Sequence, residues 1–164
     1  MRVVSFISAS SNSGKTTLIE KVVRILKARG LRIAVVKHAP KGFDLDKPGK
    51  DSWRFQQAGA DAIILAGPGR LALMRTMDHE PSREELELLA GDIDVMIYEG
   101  FKHTAINKIE VFRQSVSGDR PLALDDSTVI ALVSDKHVAA PVPFFDLNDA
   151  AGVADFIIGA PQRA

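Results

Sequence analysis

The stretch Ala9-Ser10-Ser11-Asn12-Ser13-Gly14-Lys15-Thr16 decides how this chain reads. Its spacing, A-x-x-x-x-G-K-T, is that of a phosphate-binding P-loop with alanine at the usual first glycine. The flanks are those such a loop requires. RVVSFIS (2–8) is a β-rich run that closes on small residues. From Lys15 to Arg29, Leu18, Ile19, Val22, Val23, Ile25 and Leu26 fall at helical spacing, and Gly30 supplies a stop. Small residues between a strand and a helix turn backbone N–H groups inward as an anion nest. The helix N-terminus adds its partial positive charge. Ser11, Asn12, Ser13, Gly14, Lys15, Thr16 and Thr17 are therefore the candidate phosphate ligands. Gly14 permits close backbone approach, Lys15 is suited to bridge β- and γ-phosphate oxygens, and the Thr16 hydroxyl to ligate Mg²⁺.

Outward from this loop, strands and helices alternate. LRIAVVKH (31–38) reads as the next strand, 39–50 as a Pro/Gly-rich loop, and 51–58 as a short helix stopped by Gly59. ADAIILAG (60–67) and RLALMRT (70–76) flank Gly67-Pro68-Gly69 as a hairpin. Ser82 with Glu85 forms a capping box for a helix to Ala90. IDVMIYE (93–99), the alternating NKIEVFR (107–113), STVIALVS (127–134) and PFFDL (143–147) read as strands. Asn148 or Asp149 opens a last helix to about Ile158. Apolar strands alternating with helices imply an α/β fold with three layers and a mostly parallel central sheet, the P-loop NTPase arrangement. One domain over 1–164 is expected, with a small β excursion around 67–76 or 107–124. Ligands of such sheets sit at the carboxyl ends of the strands. That directs attention to 8–17, 38–52, 99–107 and 134–137.

Composition narrows the chemistry. The 164 residues are 46% hydrophobic and 26% charged, as in globular domains. The absence of cysteine excludes disulfides, iron–sulfur clusters, cysteine-zinc sites and thiol nucleophiles. No apolar run approaches the roughly 20 residues that span a bilayer. The apolar start is too short for a signal peptide, so a cytoplasmic protein is expected. Formal net charge is zero, but residues 1–54 carry 12 Lys/Arg against 4 Asp/Glu, and the rest carries the matching acidic excess. Overall neutrality argues against coating nucleic acid, while the basic first third suits a local anionic ligand.

Three further segments carry candidate roles. Val95–Glu99 is an apolar strand ending in a carboxylate, and Glu99 beside a P-loop strand suits a metal-held water. In the loop after Lys37-His38, Asp44 and Asp46 suit Mg²⁺ or the attacking water, and Lys50 and Arg54 suit phosphate. Lys15, Asp44 and Asp46 are thus the candidate catalytic residues, and Thr16, Asp46 and Glu99 the candidate metal residues. A transition-metal reading of His38 with these acids is set aside, since the other histidines lack ligand spacing. Asp135, after the run Ile130–Ser134, is placed to accept from N1–H and N2–H of guanine, though without a full Asn-Lys-x-Asp context.

SNSGKTTLIEK (11–21), VVKHAPKGFDLDKPGKDSWRFQQAGA (35–60), VMIYEGFK (95–102) and NKIEVFR (107–113) resemble the molybdopterin-guanine dinucleotide biosynthesis protein B (MobB) family. D-x-P-G-K-D-S at 46–52 followed by A-G-A at 58–60 is the most specific element, supported by E-G-F-K at 99–102. The resemblance covers most of 1–135. It implies a dimeric GTP-binding protein with weak GTPase activity that assists a guanylyltransferase in attaching GMP to molybdopterin. It implies Gly14, Lys15 and Thr16 at the phosphates, Asp46 and Glu99 near Mg²⁺, and Asp135 near guanine. Relatives often carry a histidine-rich tract where this chain has Ala39-Pro40-Lys41, which leaves His38 without that context. Slow hydrolysis fits a P-loop with no evident arginine finger and no water-orienting Gln. The alternatives are a small-molecule kinase, with Arg70, Arg75 and Arg83 in a phosphate-clamping lid, and a nucleotide-binding scaffold without hydrolysis. No membrane or nucleic-acid partner is expected.

Overall fold

The computed structural model describes residues 1–43, 46–118 and 120–160. These fall into two compact units, one built from residues up to His38 and from Glu87 onward, the other spanning Ala39–Leu86.

The first unit is an α/β sandwich around a six-stranded sheet. Its strands are β1 (Arg2–Ile7), β2 (Ile33–Lys37), β5 (Val95–Glu99), β6 (Lys108–Phe112), β7 (Val129–Ser134) and β8 (Phe144–Asp146). Their order is β2-β5-β1-β6-β7-β8, and every neighbouring pair is parallel. Parallel strands need both faces covered, which explains the unbroken apolar runs of the sequence. On one face α1 (Lys15–Ala28) and α5 (Ala150–Gly159) bury Leu18, Ile19, Val22, Leu26, Val153 and Ile157 against Val4, Phe6, Ile97, Val111 and Val133. Each such fully buried side chain contributes about 1.5–3 kcal/mol. On the other face a smaller cluster, Ile7, Phe112, Ala123, Val129 and Leu132, is covered by a 3-10 turn at Leu122–Leu124 and by Val138, Val142 and Phe144. The Asp149 side chain caps α5 by accepting from Gly152 N–H at 2.8 Å.

One local reading of the sequence differs from the structure, and one strand placed correctly is more buried than its alternation suggests. The second strand begins at Ile33 rather than Leu31: the Arg32 carbonyl still accepts from Val95 N–H at 3.1 Å, but its N–H is diverted to Asp94 Oδ2 at 2.8 Å, and its guanidinium bonds Asp94 and Asp92. The alternation in NKIEVFR ordinarily marks a strand with one wet face. Here all five residues of β6 are buried. The two charged residues have partners: Lys108 Nζ meets Asp126 Oδ2 at 2.9 Å, and the Glu110 carboxylate accepts from Leu122 and Ala123 N–H at 2.9 and 2.8 Å.

The second unit holds the short helix α2 (Asp51–Gln57) and an antiparallel ribbon of β3 (Ala62–Gly67) and β4 (Arg70–Arg75), in register from Ala62↔Arg75 to Gly67↔Arg70. Of the two places expected for a β excursion, 67–76 lies in this ribbon, whereas 107–124 contributes β6 to the main sheet. The Ser82–Glu85 capping box opens α3 (Arg83–Ala90): Glu85 N–H donates to Ser82 Oγ at 3.2 Å, and Ser82 N–H to Glu85 Oε2 at 2.8 Å. The ribbon leaves Ile64, Leu65, Leu71 and Leu73 exposed.

Candidate nucleotide-binding site

The loop at 8–14 runs from the carboxyl end of β1 to the first turn of α1. Gly14 stands at the helix N-cap with φ +93°, a left-handed conformation that any side chain would strain. No side chain caps this helix, and no acidic residue lies in its first turn. No carboxylate of the helix's own first turn offsets the partial positive charge of its end, which favours an external anion. Asn12 also has positive φ, +60°, which asparagine tolerates. Ser13 is buried, and Ser11, Thr16 and Thr17 are exposed.

Lys15 folds back across the loop. Its ammonium donates to Ser8 Oγ at 2.5 Å, Ser13 Oγ at 3.4 Å and the Ser10 carbonyl at 3.5 Å. These oxygens are the kind that phosphate oxygens would replace. Burial pushes the Lys15 pKa down, opposed by the Glu99 carboxylate; Lys102 and Lys37 lower it further. An ammonium so destabilised gains from a nearby polyanion.

Strand β5 lies beside β1 with Phe6 opposite Glu99, so the carboxylate emerges next to the loop. Thr16 Oγ1 donates to Glu99 Oε1 at 2.6 Å, and Lys37 Nζ lies 3.7 Å from Glu99 Oε2. A hydroxyl and a carboxylate in contact at the mouth of a phosphate loop form a donor set suited to Mg²⁺ and its waters. The chain turns away at Gly100, φ +99°, where a Cβ would stand 3.1 Å from His38 Cβ. Phe101 follows in the left-handed region, φ +56°, with its ring against those of His38 and Tyr98.

In the other unit, Asp46 Oδ1 accepts from Lys47 N–H at 2.9 Å. Its Oδ2 is buried without a hydrogen-bond partner, and such an orphaned carboxylate oxygen suits a cation or a metal-held water. Asp44 lies outside the described residues. Lys50 is exposed as the N-cap of α2, and Arg54 pairs loosely with Asp51 at 3.7 Å. Asp135 follows β7 at the carboxyl edge and is not alone: Arg113 Nε donates to its Oδ2 at 3.1 Å.

A family model described as molybdopterin guanine dinucleotide synthesis protein B (MobB) matches residues 3–135. The chain belongs to the MobB family. It is 42% identical over 164 residues to the molybdopterin-guanine dinucleotide biosynthesis adapter protein of Escherichia coli (strain K12), across 95% of this chain and 91% of the relative. The corresponding adapter protein of Haemophilus influenzae is 37% identical, across 92% and 85%. A crystal structure of a molybdopterin-guanine biosynthesis protein B superposes with a TM-score of 0.67 at 28% identity, covering 95% of this chain and 96% of that one. Membership in the MobB family places the chain in molybdenum cofactor biosynthesis.

The structure also shows site residues that the sequence reading passed over. Lys102 reaches back to donate to the Ala9 carbonyl at 3.0 Å, so the segment 99–102 grips both ends of the loop. Ser8 seats the Lys15 ammonium. Ser10 Oγ donates to the Val116 carbonyl at 2.5 Å, which ties α4 (Gln114–Ser117) to the loop. The sequence signals for Lys102 are its place three residues after a strand-terminal carboxylate and its membership in E-G-F-K at 99–102. Val116 gives none, since its contribution is a backbone oxygen.

Proposed function

We propose that this chain binds GTP with Mg²⁺ at the carboxyl edge of β1, hydrolyses it slowly, and serves as the adapter that assists a guanylyltransferase in attaching GMP to molybdopterin. The observation that carries the reading is the contact of Thr16 with Glu99 at the mouth of a loop that holds Lys15 and lacks any side-chain cap. The strand order supports a division of roles. β5 lies on one side of β1, and β6 then β7 on the other. Glu99 and Thr16 thus hold the metal side, Ser11 to Thr17 the phosphates, and Asp135 the base side. Mg²⁺ held there by Thr16 and Glu99 would supply charge neutralisation to the phosphates. The chain's own residues position the anion: Lys15 exchanges its loop oxygens for phosphate oxygens, and Glu99 keeps the Thr16 hydroxyl oriented. Asp46 remains a candidate metal residue of the second unit, supported by its partnerless Oδ2.

The P-loop sequence at 9–16 carries no arginine, in keeping with slow turnover by the chain alone. The exposed apolar ribbon of β3 and β4 supports a homodimer built on that unit. The whole chain forms one functional nucleotide-binding module.

A reconstituted guanylylation assay tests the adapter role: guanylyltransferase, molybdopterin and GTP, with and without this chain, while phosphate release is followed separately with GTP and ATP. The chain is expected to raise product yield with slow, GTP-preferring phosphate release. Rapid, acceptor-dependent consumption of ATP would instead establish the kinase alternative. Binding with no phosphate release from any nucleotide would establish the scaffold.

A further inference from the structure

Arg113 was not among the residues that motif reading singled out. It directly follows β6, as Asp135 follows β7, and the last residues of the two strands, Phe112 and Ser134, are register partners. The two side chains therefore leave the same carboxyl edge side by side, and Arg113 Nε meets Asp135 Oδ2 at 3.1 Å. Both are partly exposed, at 39% and 34% of their side-chain surface, so a planar ligand has access to them. The pair also stands in a defined relation to the phosphate loop. Arg113 N–H donates to Ser117 Oγ at 3.3 Å, and the Val116 carbonyl accepts from Ser10 Oγ. Asp135 follows a strand two places from β1, about 10 Å at ordinary strand spacing, a span that a ribose covers between phosphates and base.

We propose that Arg113 reads the O6 oxygen of guanine beside Asp135, so that base selectivity belongs to the pair; this rests on the assignment of Asp135 to the base above. The chemistry is complementary. Guanine presents two donors and then an acceptor along one edge: N2–H, N1–H and O6. A carboxylate presents two acceptors, and a guanidinium bonded beside it adds donors. Adenine presents an acceptor at N1 and a donor at N6, so it would set acceptor against carboxylate and donor against guanidinium. Such a mismatch leaves the partners of the site unsatisfied, which is how hydrogen-bonding sites reject near-isosteres. The arrangement makes up for the missing Asn-Lys-x-Asp context, because the donor to O6 comes from the neighbouring strand.

Nucleotide analogues separate the two side chains. In 6-thio-GTP a sulfur, a weak acceptor, replaces O6 and leaves both N–H donors; ITP keeps O6 and N1–H and lacks the 2-amino group. Equilibrium affinities for GTP, 6-thio-GTP and ITP are measured for the wild type, Arg113→Met, Arg113→Lys and Asp135→Ala, with far-UV CD as a fold control. The wild type is expected to prefer GTP over 6-thio-GTP by about fivefold or more, as a lost charge-assisted bond implies. Arg113→Met should bring that ratio to about one while keeping the GTP over ITP preference; Arg113→Lys should be intermediate. A GTP to 6-thio-GTP ratio that is flat in the wild type, or unchanged in Arg113→Met, overturns the role of Arg113. If Asp135→Ala also leaves the GTP over ITP preference at the wild-type value, the base assignment of Asp135 itself falls. If Asp135→Ala collapses that preference while Arg113→Met changes neither ratio, only the present inference fails.

Discussion

At Lys15 two opposing effects meet. Burial lowers its pKa, and the Glu99 carboxylate raises it. A bound triphosphate would act in the same direction as Glu99, so the lysine and the anion stabilise one another. Glu99→Gln keeps the shape of the acceptor of the Thr16 hydroxyl and removes its charge. It should weaken the Mg²⁺ dependence of nucleotide binding by about tenfold, read from Mg²⁺ titrations at fixed GTP. An unchanged Mg²⁺ midpoint would contradict the metal role of Glu99. Gly100 tests the local geometry instead. Alanine there meets both a left-handed φ and the 3.1 Å approach of His38. Gly100→Ala should cost roughly 1–3 kcal/mol in chemical denaturation. Gly42→Ala, also at positive φ but with nothing near its Cβ, should cost less.

At the scale of elements, the edge of the sheet carries a pH-dependent tie. The Arg32 side chain holds the Asp94 pKa at about 2, against an ordinary value of 3.8. The folded value lies below the unfolded one. Asp94 therefore adds stability above about pH 4, and that stability is lost as pH falls from about 4 to about 2. Denaturation midpoints between pH 5 and pH 2 should fall more steeply in the wild type than in Asp94→Asn, and equal slopes would contradict the tie. β6 offers a second test. Removing the acid in Asp126→Ala strands a buried ammonium on Lys108, whose side chain is 4% exposed, and should cost about 3 kcal/mol. Pairing it with Lys108→Met should recover most of that loss.

The same two elements show how far the sequence was legible. The P-loop, its strand and its helix were readable because apolar periodicity and a fixed spacing act locally. So were the hairpin and the Ser82–Glu85 box, whose turn and capping residues are contiguous. The burial of β6 was not, since Lys108 and Glu110 are reconciled with a core only by Asp126 and by two N–H groups of a 3-10 turn more than ten residues away. The start of β2 was misplaced for a like reason, because the partner of Arg32 is sixty-two residues distant. At the candidate site, the meeting of Thr16 with Glu99 beside Lys15 was legible from motif and strand end. Lys102 and the pairing of Arg113 with Asp135 were not, because side chains that meet only through strand order leave no pattern in a single chain.

For the whole molecule, the charge asymmetry takes on a location. The basic first third includes Lys15 in the P-loop and Lys37 beside Glu99. The apolar ribbon is the other large-scale feature. Leu71 is 73% exposed and Ile64 64%. If the proposed homodimer forms on this ribbon, the wild type sediments as a dimer and Leu71→Glu with Ile64→Glu as a monomer with unchanged far-UV CD. Dimeric sedimentation of this variant would move the interface elsewhere. The central claim, a guanine nucleotide held with Mg²⁺ on the P-loop, is tested most directly by calorimetric titration of GTP and ATP, with and without Mg²⁺, into the wild type and Lys15→Ala. The account predicts saturable, Mg²⁺-dependent binding that favours GTP and is lost by at least about a hundredfold in Lys15→Ala with an intact CD spectrum. GTP binding of wild-type strength in a folded Lys15→Ala protein would contradict it.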